Sequence, residues 1–185
     1  MLTALALALT QPAAGPAPEP PQPAPIPSLE DATKRIAKRD AAMFWYAFEG
    51  CDAGEVRKRI TDDFRMVHDQ AGIVADSGDA FAGMLSEQCV ARAEGGSQAG
   101  YKNRRLLVPG SDSVTPLGEW GVLHRGWHTF HEWRGDPAEG GVGWVQTGGA
   151  RFLNLWRWMP EEGTFRMQET ISIDHGAAGE YPPKP

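Results

Sequence analysis

The chain is poor in the residues on which several protein classes depend. Only two cysteines, Cys51 and Cys89, occur among its 185 residues, too few for a disulfide-framework miniprotein or a four-cysteine zinc site. Basic residues are outnumbered: 18 Lys and Arg against 24 Asp and Glu leave a formal net charge of −6. Nucleic-acid binding rests on neutralising phosphates with a basic surface, and attachment to anionic lipid on a polybasic patch, so neither partner is expected. No apolar run reaches the roughly 18 residues that span a bilayer, so membrane insertion of the folded part is not expected either. What is present suits one domain with its own core, since 41% of residues are hydrophobic and 23% charged.

The two ends differ from the middle. Residues 1–10, MLTALALALT, form an apolar stretch of the length of a secretory signal core, without a basic residue before it. They predict a periplasmic or secreted protein. Eight of the sixteen residues from Pro12 to Pro27 are proline; with φ fixed and the amide donor missing, they predict an extended spacer outside the fold. The last ten residues are rich in Gly, Ala and Pro and predict a frayed tail. The expected division is therefore 1–27 signal-like segment and linker, 28–175 folded domain, 176–185 tail.

Within the domain the periodicity changes once. Ser28 followed by Glu30 and Asp31 is a helix start, and Leu29, Ala32, Ile36, Met43, Phe44 and Ala47 make one apolar stripe up to Gly50. Residues 53–60 predict a second, short helix, residues 64–68 a strand, and Ser77 caps a third helix carrying Phe81, Met84, Leu85 and Cys89. From Tyr101 onward β-branched and aromatic residues dominate, predicting strands over 101–108, 114–117, 121–133, 144–159 and 164–173. Helices followed by strands predict an α+β fold, with the helices packed in the concave face of a strongly curved antiparallel sheet. Long strands must bend, and glycines 126, 143, 148 and 149 are candidate bulge positions. Cys51, closing the first helix, and Cys89, on the third, stand on neighbouring helices where a disulfide is geometrically available.

Three segments carry a family resemblance: FWYAFEGCDAGEVRKRI, ITDDFRMVHDQAGIVADSGDAF and ARFLNLWRWMPEEGTFRMQETISIDH. Together they frame nearly all of residues 29–175, and they resemble the nuclear transport factor 2-like superfamily in its SnoaL-like branch. The resemblance implies a cone with an apolar cavity, often a homodimer through the outer sheet face. That superfamily includes ketosteroid isomerases, dehydratases and polyketide cyclases beside non-enzymatic binding domains. In the isomerases a carboxylate base sits in the segment matched here by Asp69, with His68 as its neighbour. Their oxyanion donors do not carry over, because Phe44 and Arg151 stand at the matching positions.

The residue pattern adds its own candidates. A carboxylate in an apolar cavity gains proton affinity and can act as a base, but His68 and Asp69 point to opposite faces of a strand. Phe64, Met66 and His68 share a face, which favours His68 as the cavity residue. His124 and His128 share a face of their strand but stand about 13 Å apart at ~3.3 Å per residue, too far for one metal ion; no metal and no cofactor is expected. The residues expected to contact a ligand are Phe44, Trp45, Met66, Trp127, His128, Asn154 and Trp156. The leading functional expectation is binding of a small apolar molecule. The alternatives are a dehydratase, isomerase or cyclase with Asp69 or His68 as general base, and a dimeric assembly module whose cavity is filled by its own side chains.

Overall fold

The computed structural model describes residues 22–177; the signal-like segment, most of the Pro-rich stretch and the tail beyond Ala177 lie outside the described residues. Three helices, α1 (Leu29–Phe48), α2 (Ala53–Arg57) and α3 (Gly78–Arg92), accompany seven strands. The strands are β1 (Ile60–His68), β2 (Gly72–Ala75), β3 (Asn103–Leu107), β4 (Ser113–Pro116), β5 (Gly121–Trp133), β6 (Trp144–Met159) and β7 (Thr164–Ala177). Ser28 caps α1 by accepting the Asp31 N–H, and Ser77 caps α3 through Ala80 N–H, which satisfies amide groups the first turn leaves without partners. Ile60, expected to end the second helix, instead opens β1, and α2 is a single turn.

The sheet runs β2-β1-β7-β6-β5-β3, with β4 on β5, and is not closed. It is mixed rather than wholly antiparallel, because β1 lies parallel to β7. A parallel neighbour needs a long crossover, and the whole chain between β1 and β7 supplies it. Register shifts at Phe130/His131 and at Gly149/Arg151 mark the bends of the long strands, beside the paired glycines 148 and 149. Gly126 is not a bulge. A Cβ there would stand 2.8 Å from Asp112 Cβ and 3.0 Å from the Phe152 ring, so this glycine permits a close approach of neighbours.

Strand pairing sorts the inner face into rungs. Ile60, Met167, Trp156 and Val122 lie side by side across β1, β7, β6 and β5, all essentially solvent-free. The next rung is Met66, Thr170, Asn154 and His124, two residues on along β5 and β6 and, across register shifts, three along β7 and six along β1; two residues further on every strand it is His68, Ser172, Phe152 and Gly126. Helix α1 repeats the sequence of environments, with Ala32 and Ile36 in the core, then the buried Asp40, then Met43 and Ala47. The apolar core thus gives way to a polar belt at one level of sheet and helix together. At the core's other end, Ala24 and Ile26 pack on it, and Trp158 Nε1 donates to the Ala24 carbonyl at 2.9 Å. The last residues of the Pro-rich stretch are therefore part of the fold.

Cys51 and Cys89 form a disulfide across a Cα separation of 5.5 Å, tying the α1–α2 junction to α3 over 38 residues of sequence. A loop of that length implies about 4 kcal/mol of stabilisation in the chain-entropy account. Reduction, or the Cys51→Ala/Cys89→Ala variant, should lower the unfolding free energy by that order in a urea titration. An unchanged midpoint would show that the crosslink restrains nothing.

Candidate functional site

The polar belt is organised around Asp40, which is 2% exposed. Arg105 Nη1, from β3, pairs with Asp40 Oδ2. Asn154 Nδ2 donates to Asp40 Oδ1 at 3.3 Å, and Asn154 Oδ1 accepts from Thr170 Oγ1 at 2.7 Å. His124 Nδ1 stands 3.6 Å from Asp40 Oδ1, and its Nε2 is 3.1 Å from Asp112 Oδ2. Burial works against an ionised carboxyl here, but the charge and hydrogen bond of Arg105, with the neighbouring His124 ring, outweigh it and hold Asp40 below the usual carboxylate range. The guanidinium carbon of Arg105 lies 3.9 Å from the Phe44 ring centroid and 4.9 Å from that of Phe152, so two ring faces meet the cation.

Arg105 makes one further contact that defines the site. Its Nε donates to His128 Nδ1 at 3.0 Å. Arginine can only donate, so His128 Nδ1 carries no proton and the neutral ring is the Nε2–H tautomer. Burial, reinforced by the Arg105 charge, holds His128 well below the ordinary imidazole value. Its Nε2 is buried and has no hydrogen-bond partner among the described residues.

Above the belt lies a pocket of about 370 Å³. Met43, Phe44, Ala47 and Phe48 from α1 and Phe81, Met84 and Leu85 from α3 form its apolar wall; Met66, His68, His128, Thr170, Ser172 and His175 come from the sheet. Asp69 does not line it. Both Asp69 carboxylate oxygens are held by His175, one by the backbone N–H at 3.1 Å and one by ring Nδ1 at 2.7 Å. These bonds outweigh the effect of burial and lower the Asp69 pKa. An ionised carboxylate only accepts, so Nδ1 of His175 carries the hydrogen and Nε2, 3.2 Å from Ser172 Oγ, has the lone pair of the neutral ring. The His68 ring stacks on His175 at 3.9 Å, and burial lowers the His68 pKa. The Phe130 ring centroid is 4.7 Å from that of His128 and 6.1 Å from that of His175, so both histidines border the same part of the pocket.

One group among the described residues has metal-ligand chemistry: atoms of His68, Asp69 and His175 lie within 4.8 Å of one another. They are already engaged, since His175 Nδ1 donates to Asp69 and His68 Nδ1 accepts the Gln70 N–H at 3.1 Å.

This architecture recurs among solved structures. A protein from Catenulispora acidiphila superposes with a TM-score of 0.62 at 14% identity, over 79% of this chain and 92% of its own. Aln2 from a Streptomyces species gives 0.60 at 12%, over 80% and 93%. An NTF2-like protein with a cystatin-like fold from Novosphingobium aromaticivorans gives 0.56 at 15%, over 79% and 84%. The fold is that of the nuclear transport factor 2-like superfamily. No protein-family model matches the sequence, and no curated protein does.

Within this nuclear transport factor 2-like frame the sequence candidates separate. Phe44, Met66, His68 and His128 line the pocket. Asn154 lies in the belt and Trp156 in the sealed core beneath it. Trp45 is 51% exposed on the far side of α1, and Trp127 is on the outer sheet face with Arg151, whose guanidinium carbon is 5.9 Å from its ring. These two fall outside because period-two alternation sets Trp127 with Arg125, an exposed position, and the helical turn sets Trp45 away from Phe44. Asp40, Arg105, Ser172 and His175 were not singled out from sequence. A signal existed only for Asp40, a charge placed on the Ile36–Met43 apolar stripe.

The sign of the His128 shift fixes a pH response. The unfolded chain takes up the His128 proton first as pH falls below about 6.5. Stability from this group is full above that value and is lost as pH falls towards the folded one. Unfolding free energies from urea titrations between about pH 7 and 5 should fall by up to about 1.4 kcal/mol per unit, less steeply in His128→Gln. Equal slopes would contradict a buried neutral His128.

Proposed function

We propose that this chain binds a small, largely apolar molecule in the pocket between α1, α3 and the sheet. The observation that carries the reading is the make-up of that wall. Seven apolar side chains from two helices face a short run of polar groups from the sheet across about 370 Å³, the pattern of a ligand site rather than of a sealed core. A filled interior is disfavoured by the same volume. The disulfide supports export to an oxidising compartment, in keeping with the apolar first residues.

One observation favours a second reading, acid–base catalysis in the same pocket. A histidine oriented by a carboxylate is a competent base, and the Asp69–His175 pair has that form. The base would be His175 rather than Asp69 or His68, with Asp69 as the positioning residue. Turnover of an activated ketone that survives His175→Ala would remove this reading.

Binding is tested by calorimetric titration with ethylbenzene and naphthalene. Saturable binding is expected, and Ala47→Phe, which puts a ring into the pocket, should weaken it by about tenfold or more. Absence of binding to wild type, or binding indifferent to Ala47→Phe, would place any ligand elsewhere.

A further inference from the structure

The ends of β1 and β7 bring three donor groups to one point beside the pocket. His68 closes β1 next to Ser172 of β7, and Asp69 follows as the chain leaves the strand. Strict alternation along β7 would set His175 on the opposite face from Ser172. Ile173 pairs with Arg151 and Gly176 with Gly149, so Asp174 and His175 together stand opposite the single residue Ala150. This is a bulge of the kind that re-aims a side chain; Asp174 takes a left-handed φ of 59° in it, and His175 borders the pocket with Ser172. Nδ1 of His68 and Nδ1 of His175 then lie 3.3 and 2.7 Å from the same oxygen, Asp69 Oδ1. All three side chains keep 14–28% of their surface in solvent, so an ion can reach them.

One contact within the group is unfavourable as it stands. The Gln70 N–H donates to His68 Nδ1, so that nitrogen presents a lone pair, and the carboxylate oxygen 3.3 Å away presents another. A cation between them removes the conflict. The spacing suits one, because donor atoms around a tetrahedral ion with bonds of about 2.0–2.1 Å lie roughly 3.3 Å apart. The supporting contacts are those of ligands. The His175 backbone N–H holds Asp69 Oδ2 and leaves Oδ1 to the ion. His175 Nε2 stands 3.2 Å from Ser172 Oγ, so when Nδ1 binds an ion the ring hydrogen moves to Nε2 and donates to the hydroxyl, as a ligating histidine requires. His68 gives up its Gln70 hydrogen bond, which water replaces at this exposed turn. The spacing that separates His124 from His128 does not bear on this group, which is assembled across two strands.

We propose that His68, Asp69 and His175 hold one divalent transition-metal ion of the class that takes imidazole ligands, zinc among them, through Nδ1 of both rings and Oδ1 of Asp69. Three protein ligands leave a fourth position for water. The site is independent of apolar binding in the pocket, and it excludes His175 as a base, since the metal-bound ring carries its hydrogen on Nε2.

Calorimetric titration of the metal-free full chain with zinc chloride at neutral pH tests the site. One saturable ion per chain is expected, with no heat from magnesium, which takes oxygen ligands. His68→Ala and His175→Ala should each weaken zinc binding by about tenfold or more, while His131→Ala, outside the group, leaves it unchanged. Absence of zinc binding to wild type, or binding that survives both substitutions, would overturn the proposal. Should either variant not fold, the nitrogen-15 spectrum of the five wild-type histidines decides. Zinc is expected to move the signals of His68 and His175 and to leave those of His124, His128 and His131 in place; shifts confined to the other three, or none, would overturn it.

Discussion

The pairing of Asp40 with Arg105 is the interaction on which the rest of the site depends. A carboxylate at 2% exposure and a guanidinium at 8% are tolerable in an interior only when each satisfies the other, because removal of either partner from a buried pair costs on the order of 3–5 kcal/mol. That condition ties α1 to β3 across the mouth of the sheet. It also fixes the position of Arg105 Nε, hence the orientation and tautomer of His128, and through Asn154 and Thr170 it reaches β6 and β7. A single ion pair therefore sets helix against sheet and fixes which ring nitrogen of the neutral His128 carries the hydrogen.

The belt also separates two kinds of interior. Below it, Trp156, Met167, Phe165, Phe64 and Ile36 are packed without exposure, and dense packing of this kind supplies most of the stability. Above it the side chains recede and leave a pocket. Groups that must keep hydrogen-bond partners cannot collapse together as apolar ones do, so a polar rung spanning the sheet is a physical reason for the core to end where it does. The functional groups are drawn from the rungs immediately beyond this boundary: His68 and Ser172 side by side on β1 and β7, and His128 on β5.

Much of the fold was legible because it rests on local chemistry. Ser28 and Ser77 cap the helices they were expected to cap, and β5 and β6 run over the expected residues 121–133 and 144–159. The parallel β1–β7 pair was not legible, since it joins segments about a hundred residues apart and leaves no local trace. The site was read only in part for the same reason. His68 followed from alternation with Phe64 and Met66, whereas the partners that define its neighbourhood, Asp69 with His175 and Asp40 with Arg105, meet across the fold. By resemblance Asp69 was one candidate base beside His68; in the structure both its carboxylate oxygens are hydrogen-bonded to His175.

Function as proposed requires that the space between α1, α3 and the sheet be open to an apolar guest while the core beneath it is closed. Diffraction from a crystal of the protein under xenon pressure tests this without choosing a ligand, since xenon enters apolar cavities that lack water. Xenon is expected among Phe44, Phe81, Leu85 and Phe130, and none beside Trp156. An empty pocket with those side chains folded inward, or xenon bound only below the Asp40–Asn154 belt, would contradict it.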